Sequence, residues 1–169
     1  MVWFFNNPAK EDTVKRAMGA LKVLGYDKKV KVLKHDPIIP SEAAGQLGIE
    51  TGAIVQALPF IIAGQPVVAF IAGDHKCKID ELPRCLNLKG TPEPMTVEET
   101  KEIIGYAPRG IAPVALTGAD IPMMIDVSLK RFETIYVPAG HSRCYFATSV
   151  PELNRMTQGI ISYAIAEPA

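Results

Sequence analysis

The sequence predicts a single α+β domain over residues 1–169, a mixed sheet with helices packed beside it. Segments with helical and strand periodicity are interspersed without a regular β-α-β repeat, and several strand-like segments follow one another directly. The chain has 169 residues, 48% of them apolar, and shows no internal repeat, low-complexity tract or domain-length linker. Folding at this length buries roughly 68–70% of the unfolded chain's surface, enough for a core that needs neither metal nor disulfide.

A first helix is predicted over 8–24, with Asn7 as N-cap, Pro8 at the first helical position and an apolar stripe of Val14, Met18, Leu21 and Leu24 or Val23. Gly25 stops it. Residues 28–34 alternate charged and apolar side chains through Val30 and Val32, the period of a half-buried strand. Ser41 opens a short helix that ends near Gly48. Residues 51–73 carry no charge, a length that spans a bilayer if helical. Pro59, Pro66 and the β-branched pairs Ile54-Val55, Ile61-Ile62 and Val67-Val68 make it a buried hairpin instead, turning at Gly64-Gln65-Pro66.

Residues 79–86 read as a short helix with Pro83 in its first turn, and Thr96-Val97-Glu98-Glu99 is a capping box for a helix ending at Gly105. Residues 106–113, with Pro108, Gly110 and Pro113, form a loop. Strands follow at 121–127, 133–137, 143–148 and 160–165, with a second capping box at Ser149-Val150-Pro151-Glu152 between the last two.

Composition excludes several function classes. With 18 basic and 18 acidic residues the net charge is zero, unlike a strongly basic nucleic-acid binder. The charge is uneven: residues 1–36 carry eight basic and four acidic side chains, so this end is +4 and the rest −4. That allows a weak polyanion-facing side or a plain solvated face with a lysine-protected edge strand. Cys77, Cys85 and Cys144 form no C-x-x-C pair, which suits a reducing cytoplasm and core positions. His141 and Cys144 have an H-x-x-C spacing without a second clustered pair, so no metal and no cofactor are expected. Residues 1–7 lack the basic and apolar regions of a signal peptide, and no membrane association is expected.

No nucleophile elbow, Walker loop, dinucleotide fingerprint or zinc-protease motif is present. The remaining candidates are polar or glycine positions that punctuate apolar runs. Arg109-Gly110-Ile111-Ala112-Pro113 presents backbone N–H groups to a ligand, or is a plain connecting turn. His35 beside Asp36 resembles a base with its carboxylate, although neighbours on an extended chain point oppositely. Asp74 either belongs to a site or caps a turn, and Gly140-His141 turns one strand into the next. Gln56, between Ile54 and Leu58 on one strand face, is either a satisfied buried amide or a pocket residue.

In order along the chain stand Leu33-Lys34-His35-Asp36, Ser41-Glu42-Ala43-Ala44, Leu47-Gly48, the run from Ile54 to Leu58, Ile71-Ala72-Gly73-Asp74-His75-Lys76 with Asp80 and Leu82, Gly105-Tyr106, Gly110-Ile111-Ala112-Pro113, Ile125-Asp126, Ala139-Gly140 and Pro151-Glu152-Leu153. Together these segments resemble the YbaK-type aminoacyl-tRNA deacylases, which include the editing domain of bacterial prolyl-tRNA synthetases. The resemblance covers most of the chain, and the G-x-x-P loop is its most diagnostic piece. It implies a curled mixed sheet and a cytoplasmic trans-acting enzyme. The implied partner is mischarged tRNA, from whose 3′ end a small amino acid such as alanine or proline is removed by ester hydrolysis without metal or covalent nucleophile. It further implies that Gly110 and the residue at position 56 act in catalysis, that Ile111, Ala112 and Pro113 line the aminoacyl pocket with His35, Asp74 and Gly140, and that the substrate's ribose hydroxyl assists.

One position departs from the family pattern: the characteristic lysine of the first hairpin strand is Gln56 here. An amide keeps hydrogen bonding and loses the charge. Either a nearby cation such as Arg109 or Lys76 compensates, or the substrate differs, or the protein is a catalytically silent relative that binds an aminoacyl-adenosine, a nucleotide or a partner protein.

Overall fold

The computed structural model describes residues 7–118 and 120–169. The signal-peptide expectation falls mostly on residues 1–6, outside them. The α+β class holds, and the strands divide among three sheets. The five-stranded sheet has the order β5 (Glu93–Pro94), β2 (Val55–Ile62), β3 (Gln65–Ala72), β6 (Met123–Asp126), β9 (Ile160–Ser162), antiparallel in its first half and parallel from β3 to β9. A three-stranded antiparallel sheet places β8 (Cys144–Thr148) between β1 (Lys31–Val32) and β7 (Ile135–His141). A parallel bridge between Ile54 and Tyr136 links the two. The third sheet pairs β4 (His75–Cys77) with β10 (Ala166–Pro168), a strand the sequence does not announce.

Local signals place most boundaries. The Asn7 side chain caps a 3-10 turn, Pro8–Lys10, by accepting the Ala9 N–H at 3.1 Å, and α1 (Asp12–Val23) starts only afterwards. Its buried residues are Val14, Ala17 and Leu21, so the stripe runs through Ala17 while Val23 and Leu24 stay exposed. α2 (Pro40–Leu47) ends at Gly48, whose φ of 69° suits a residue without Cβ. The hairpin turns at Ala63-Gly64, one step before the expected site, with both residues at positive φ as a two-residue turn requires.

The predicted 79–86 helix is a 3-10 turn, Ile79–Glu81, followed by α3 (Leu82–Cys85). The Thr96 box opens α4 (Val97–Glu99), which widens into a π-turn, Thr100–Ile104. Ser149 caps α5 (Val150–Thr157) by accepting the Glu152 N–H, but the Glu152 carboxylate does not return to close a box. It takes Lys28 Nζ at 2.7 Å and the Thr148 hydroxyl at 3.0 Å instead. The expected strand over 28–34 shrinks to β1, because Lys28 is drawn to Glu152 and the chain leaves the sheet after Leu33.

α1 packs on β7, and Gly140 makes that approach possible. Gly140 lies at φ +97° within β7, beside a register shift between Pro138 and His141, so the turn comes one step after His141. A Cβ at Gly140 would sit 2.6 Å from the Thr13 carbonyl oxygen, and its own carbonyl accepts the Thr13 hydroxyl at 2.7 Å. Gly140→Ala therefore both strains the backbone and pushes α1 off the sheet. We expect it to lower unfolding free energy by about 2 kcal/mol or more. Chemical denaturation checks this, and an unchanged midpoint would contradict it.

Candidate functional site

The site is built on the edge of β2. The two-residue turn makes Ile62 and Gln65 a hydrogen-bonded pair, so by alternation the even residues of β2 pair with β3. Val55, Ala57, Pro59 and Ile61 turn their backbone groups to the other edge. Pro59, without an N–H, costs nothing there, and its carbonyl accepts Met95 N–H at 3.3 Å beside β5. At the other end Ile54 bridges Tyr136. Between these contacts, residues 55–58 have no strand paired on that edge among the described residues, and they open onto a cavity of about 110 Å³.

Three further segments close the cavity. Pro37, Ile38, Ile39 and Pro40 lead into α2, Pro108 and Arg109 come from the loop before Gly110, and Pro138, Ser142 and Tyr145 come from β7, its turn and β8. The walls are mostly proline and aliphatic side chains, and Ile38 is 76% exposed at the rim. Arg109 spans two of these segments. Its Nη1 and Nη2 donate to the Asp36 carboxylate at 3.3 and 3.2 Å, and Nη1 also donates to the Pro37 carbonyl. Both partners are about half exposed, 51% and 49%, so the pair adds little stability. Its effect is geometric: it holds a cation beside the cavity.

Tyr145 is buried, and burial pushes its phenol up to about 12, so it remains a neutral hydroxyl. Lys31 is its cross-strand partner, so the two share one face of the small sheet.

The sequence candidates separate on folding. Gln56 lines the cavity, yet its Nε2 donates to the Ala72 carbonyl at 3.1 Å and the His75 carbonyl at 3.3 Å, clamping the Gly73-Asp74 turn. That turn abuts the cavity wall, since a Cβ at Gly73 would meet Pro40 at 2.9 Å and the Thr51 carbonyl at 2.4 Å. Gly110 is buried and close to the cavity without lining it: its N–H donates to Ala107 O at 2.9 Å, and a Cβ there would lie 2.9 Å from His141 Cα and N. Ile111 and Ala112 are fully buried in the main core, and Pro113 borders a separate groove beside α1.

His35 is exposed, its backbone held by Gln46, while its neighbour Asp36 reaches Arg109. Asp74 lies away from the cavity lining. Arg131 grips its carboxylate at 2.7 and 2.9 Å and His75 Nδ1 lies at 2.8 Å, and the guanidinium holds the carboxyl well below the usual range. Gly140 faces α1. Of the two cations considered for the missing lysine, Arg109 lines the cavity, whereas Lys76 is 64% exposed and paired with Glu167. Residue pattern alone misses Tyr145, Ser142 and three of the four wall prolines, Pro37, Pro40 and Pro138, which read as ordinary core or turn residues. His141 Nδ1 accepts the Arg143 N–H and Cys144 points into the core, so the H-x-x-C pair does not converge. Among the described residues no group of three His, Cys, Asp or Glu side chains is placed to hold a metal, and no helix is long and apolar enough to cross a membrane.

The family model described as an aminoacyl-tRNA editing domain matches residues 39–156, which include most of the cavity wall and the 110–113 loop. The uncharacterized protein YwhH of Bacillus subtilis (strain 168) is 26% identical over 117 residues, 69% of this chain and 73% of that protein. Among solved structures, one described as a candidate trans-editing enzyme for prolyl-tRNA synthetase superposes with a TM-score of 0.85 at 25% identity, covering 93% of this chain and 98% of that one. A hypothetical protein, APE2540, superposes at 0.79 with 23% identity over 90% and 99% of the two chains, a likeness of fold.

Proposed function

This chain belongs to the aminoacyl-tRNA editing-domain family, and from that premise we propose that it is a trans-acting, cytoplasmic deacylase that removes a small mischarged amino acid from tRNA. The observation that carries this reading is the convergence of the Arg109 guanidinium and the open backbone edge of β2 on one small, largely apolar cavity. The aminoacyl group enters the cavity, and water attacks the ester carbonyl carbon. The bond to the ribose oxygen breaks, the ribose oxygen takes one of the water's protons, the other passes to solvent, and the amino acid leaves as its carboxylate. Neighbouring ribose hydroxyl groups assist the water, so neither a covalent nucleophile nor a metal is called on.

In this mechanism Arg109 supplies the positive charge that the family's lysine supplies elsewhere, and it does so from the other side of the cavity. Gly110 positions it: without a Cβ the loop lies directly on the His141 backbone, which sets Pro108 and Arg109 at the cavity. Gln56 keeps the wall in place through its two carbonyl contacts.

A second reading has one observation in its favour. Both N–H groups of the Gln56 amide are engaged by backbone carbonyls, leaving only its oxygen for a ligand, as in a relative that binds without turnover. Comparison of wild type with Gln56→Lys on mischarged tRNA separates the two.

The tRNA backbone is expected along β1. Lys29, Lys31 and Lys34 are exposed, and Lys31 shares its sheet face with Tyr145 at the cavity. Lys28 drops out of this strip because Glu152 holds it. Replacing Lys29, Lys31 and Lys34 with alanine is expected to weaken tRNA binding by about tenfold at moderate salt and to flatten its salt dependence. Anisotropy titrations at several salt concentrations check this; equal affinity would discard the strip.

A further inference from the structure

Tyr145 retains only 6% of its surface, yet among the described residues its hydroxyl has no hydrogen-bond partner. The contrast is Tyr106, buried to 1% exposure, whose hydroxyl donates to the Val114 carbonyl at 2.7 Å. No fully buried side-chain polar atom among the described residues lacks a partner, so the Tyr145 oxygen keeps a share of the little exposure the residue has. The space this residue lines is the cavity.

The other polar side chains around that space are largely committed. Arg109 is fixed on Asp36 and Pro37, and the Gln56 amide nitrogen on two carbonyls. A ligand that fills the cavity closes the phenol off from solvent, and an aliphatic group would leave the hydroxyl buried and unpaired. A site that holds such a hydroxyl therefore discriminates by chemistry as well as by size. A cavity of about 110 Å³ is small against a nucleoside, so the amino-acid side chain is the part of an aminoacyl-adenosine it encloses.

We propose that Tyr145 is a specificity-determining residue of this cavity, its hydroxyl selecting a small aminoacyl group whose side chain carries a hydroxyl over an aliphatic group of similar size. Ser142 is a second hydroxyl-bearing residue among those that line the cavity. The inference rests on the deacylase reading of the cavity.

The test is calorimetric titration of wild type and Tyr145→Phe with four non-hydrolysable, amide-linked 3′-aminoacyl-adenosines: seryl, alanyl, threonyl and valyl. Wild type is expected to bind seryl over alanyl, and threonyl over valyl, by about tenfold. In Tyr145→Phe both preferences are expected to shrink to within about twofold, with alanyl and valyl affinity retained. Absence of a hydroxyl preference in wild type overturns the inference without any variant. So does a preference that survives in Tyr145→Phe, or an equal weakening of all four analogues, which would place the phenol on the shared adenosine. These outcomes leave the deacylase reading standing. Failure of wild type to bind any of the four overturns both.

Discussion

Replacing Arg109 with glutamine is expected to slow deacylation of the preferred mischarged tRNA by about 100-fold, the loss typical of removing one preorganised charge or donor from a reacting centre. The thermal midpoint should hardly move, because the Arg109–Asp36 pair is about half exposed on both sides. Asp36→Asn is the informative companion. It leaves the guanidinium in place with the Pro37 carbonyl as an anchor, and should cost far less than the loss of the cation itself. Single-turnover rates on one charged tRNA measure both. Equal losses in the two variants would mean that the pair, rather than the positive charge, matters; no loss in Arg109→Gln would remove Arg109 from the mechanism.

Gly110→Ala is expected to have the second large effect, for a steric reason. A Cβ at Gly110 would lie 2.9 Å from His141 Cα and N, which are backbone atoms and cannot swing aside. The loop must lift, and Pro108 and Arg109 lift with it. A displacement near 1 Å costs about 100-fold in rate when a reacting geometry depends on it. The overpacking should also lower stability by roughly 1–3 kcal/mol. Rate and denaturation midpoint should fall together in this variant, whereas Arg109→Gln lowers the rate alone. Wild-type turnover in Gly110→Ala would show that the loop's contact with β7 is irrelevant to the site.

The two variants illustrate what could be read from sequence. Local chemistry was legible: Asn7, Thr96 and Ser149 cap, Gly25, Gly48 and Gly105 stop helices at positive φ, and the charge-free segment is a hairpin. The division into three sheets was not, since it depends on β1 pairing with β8 more than a hundred residues away. Gly140 looked like a turn because glycine serves both turns and close approaches, and only the position of α1 reveals the second use. The same holds at the site. The 110–113 loop was visible as an irregular glycine and proline run, but that Ile111 and Ala112 support the site from the core while Arg109 faces the cavity follows from tertiary packing. Tyr145 gave no signal, for in Cys144-Tyr145-Phe146 it resembles any aromatic of a buried strand. Gln56 was conspicuous as an amide in an apolar strand. Its two carbonyl partners show how a neutral side chain keeps the hairpin and its turn together without a charge.

The measurement that bears most directly on the central claim is ester loss over time from a panel of mischarged and correctly charged tRNAs, with purified wild type, Gln56→Lys and buffer alone run side by side. Wild type is predicted to discharge at least one small mischarged amino acid well above the buffer rate, with Arg109 serving in place of the family's lysine. Loss at the buffer rate across the whole panel, with Gln56→Lys active or silent, would contradict the account.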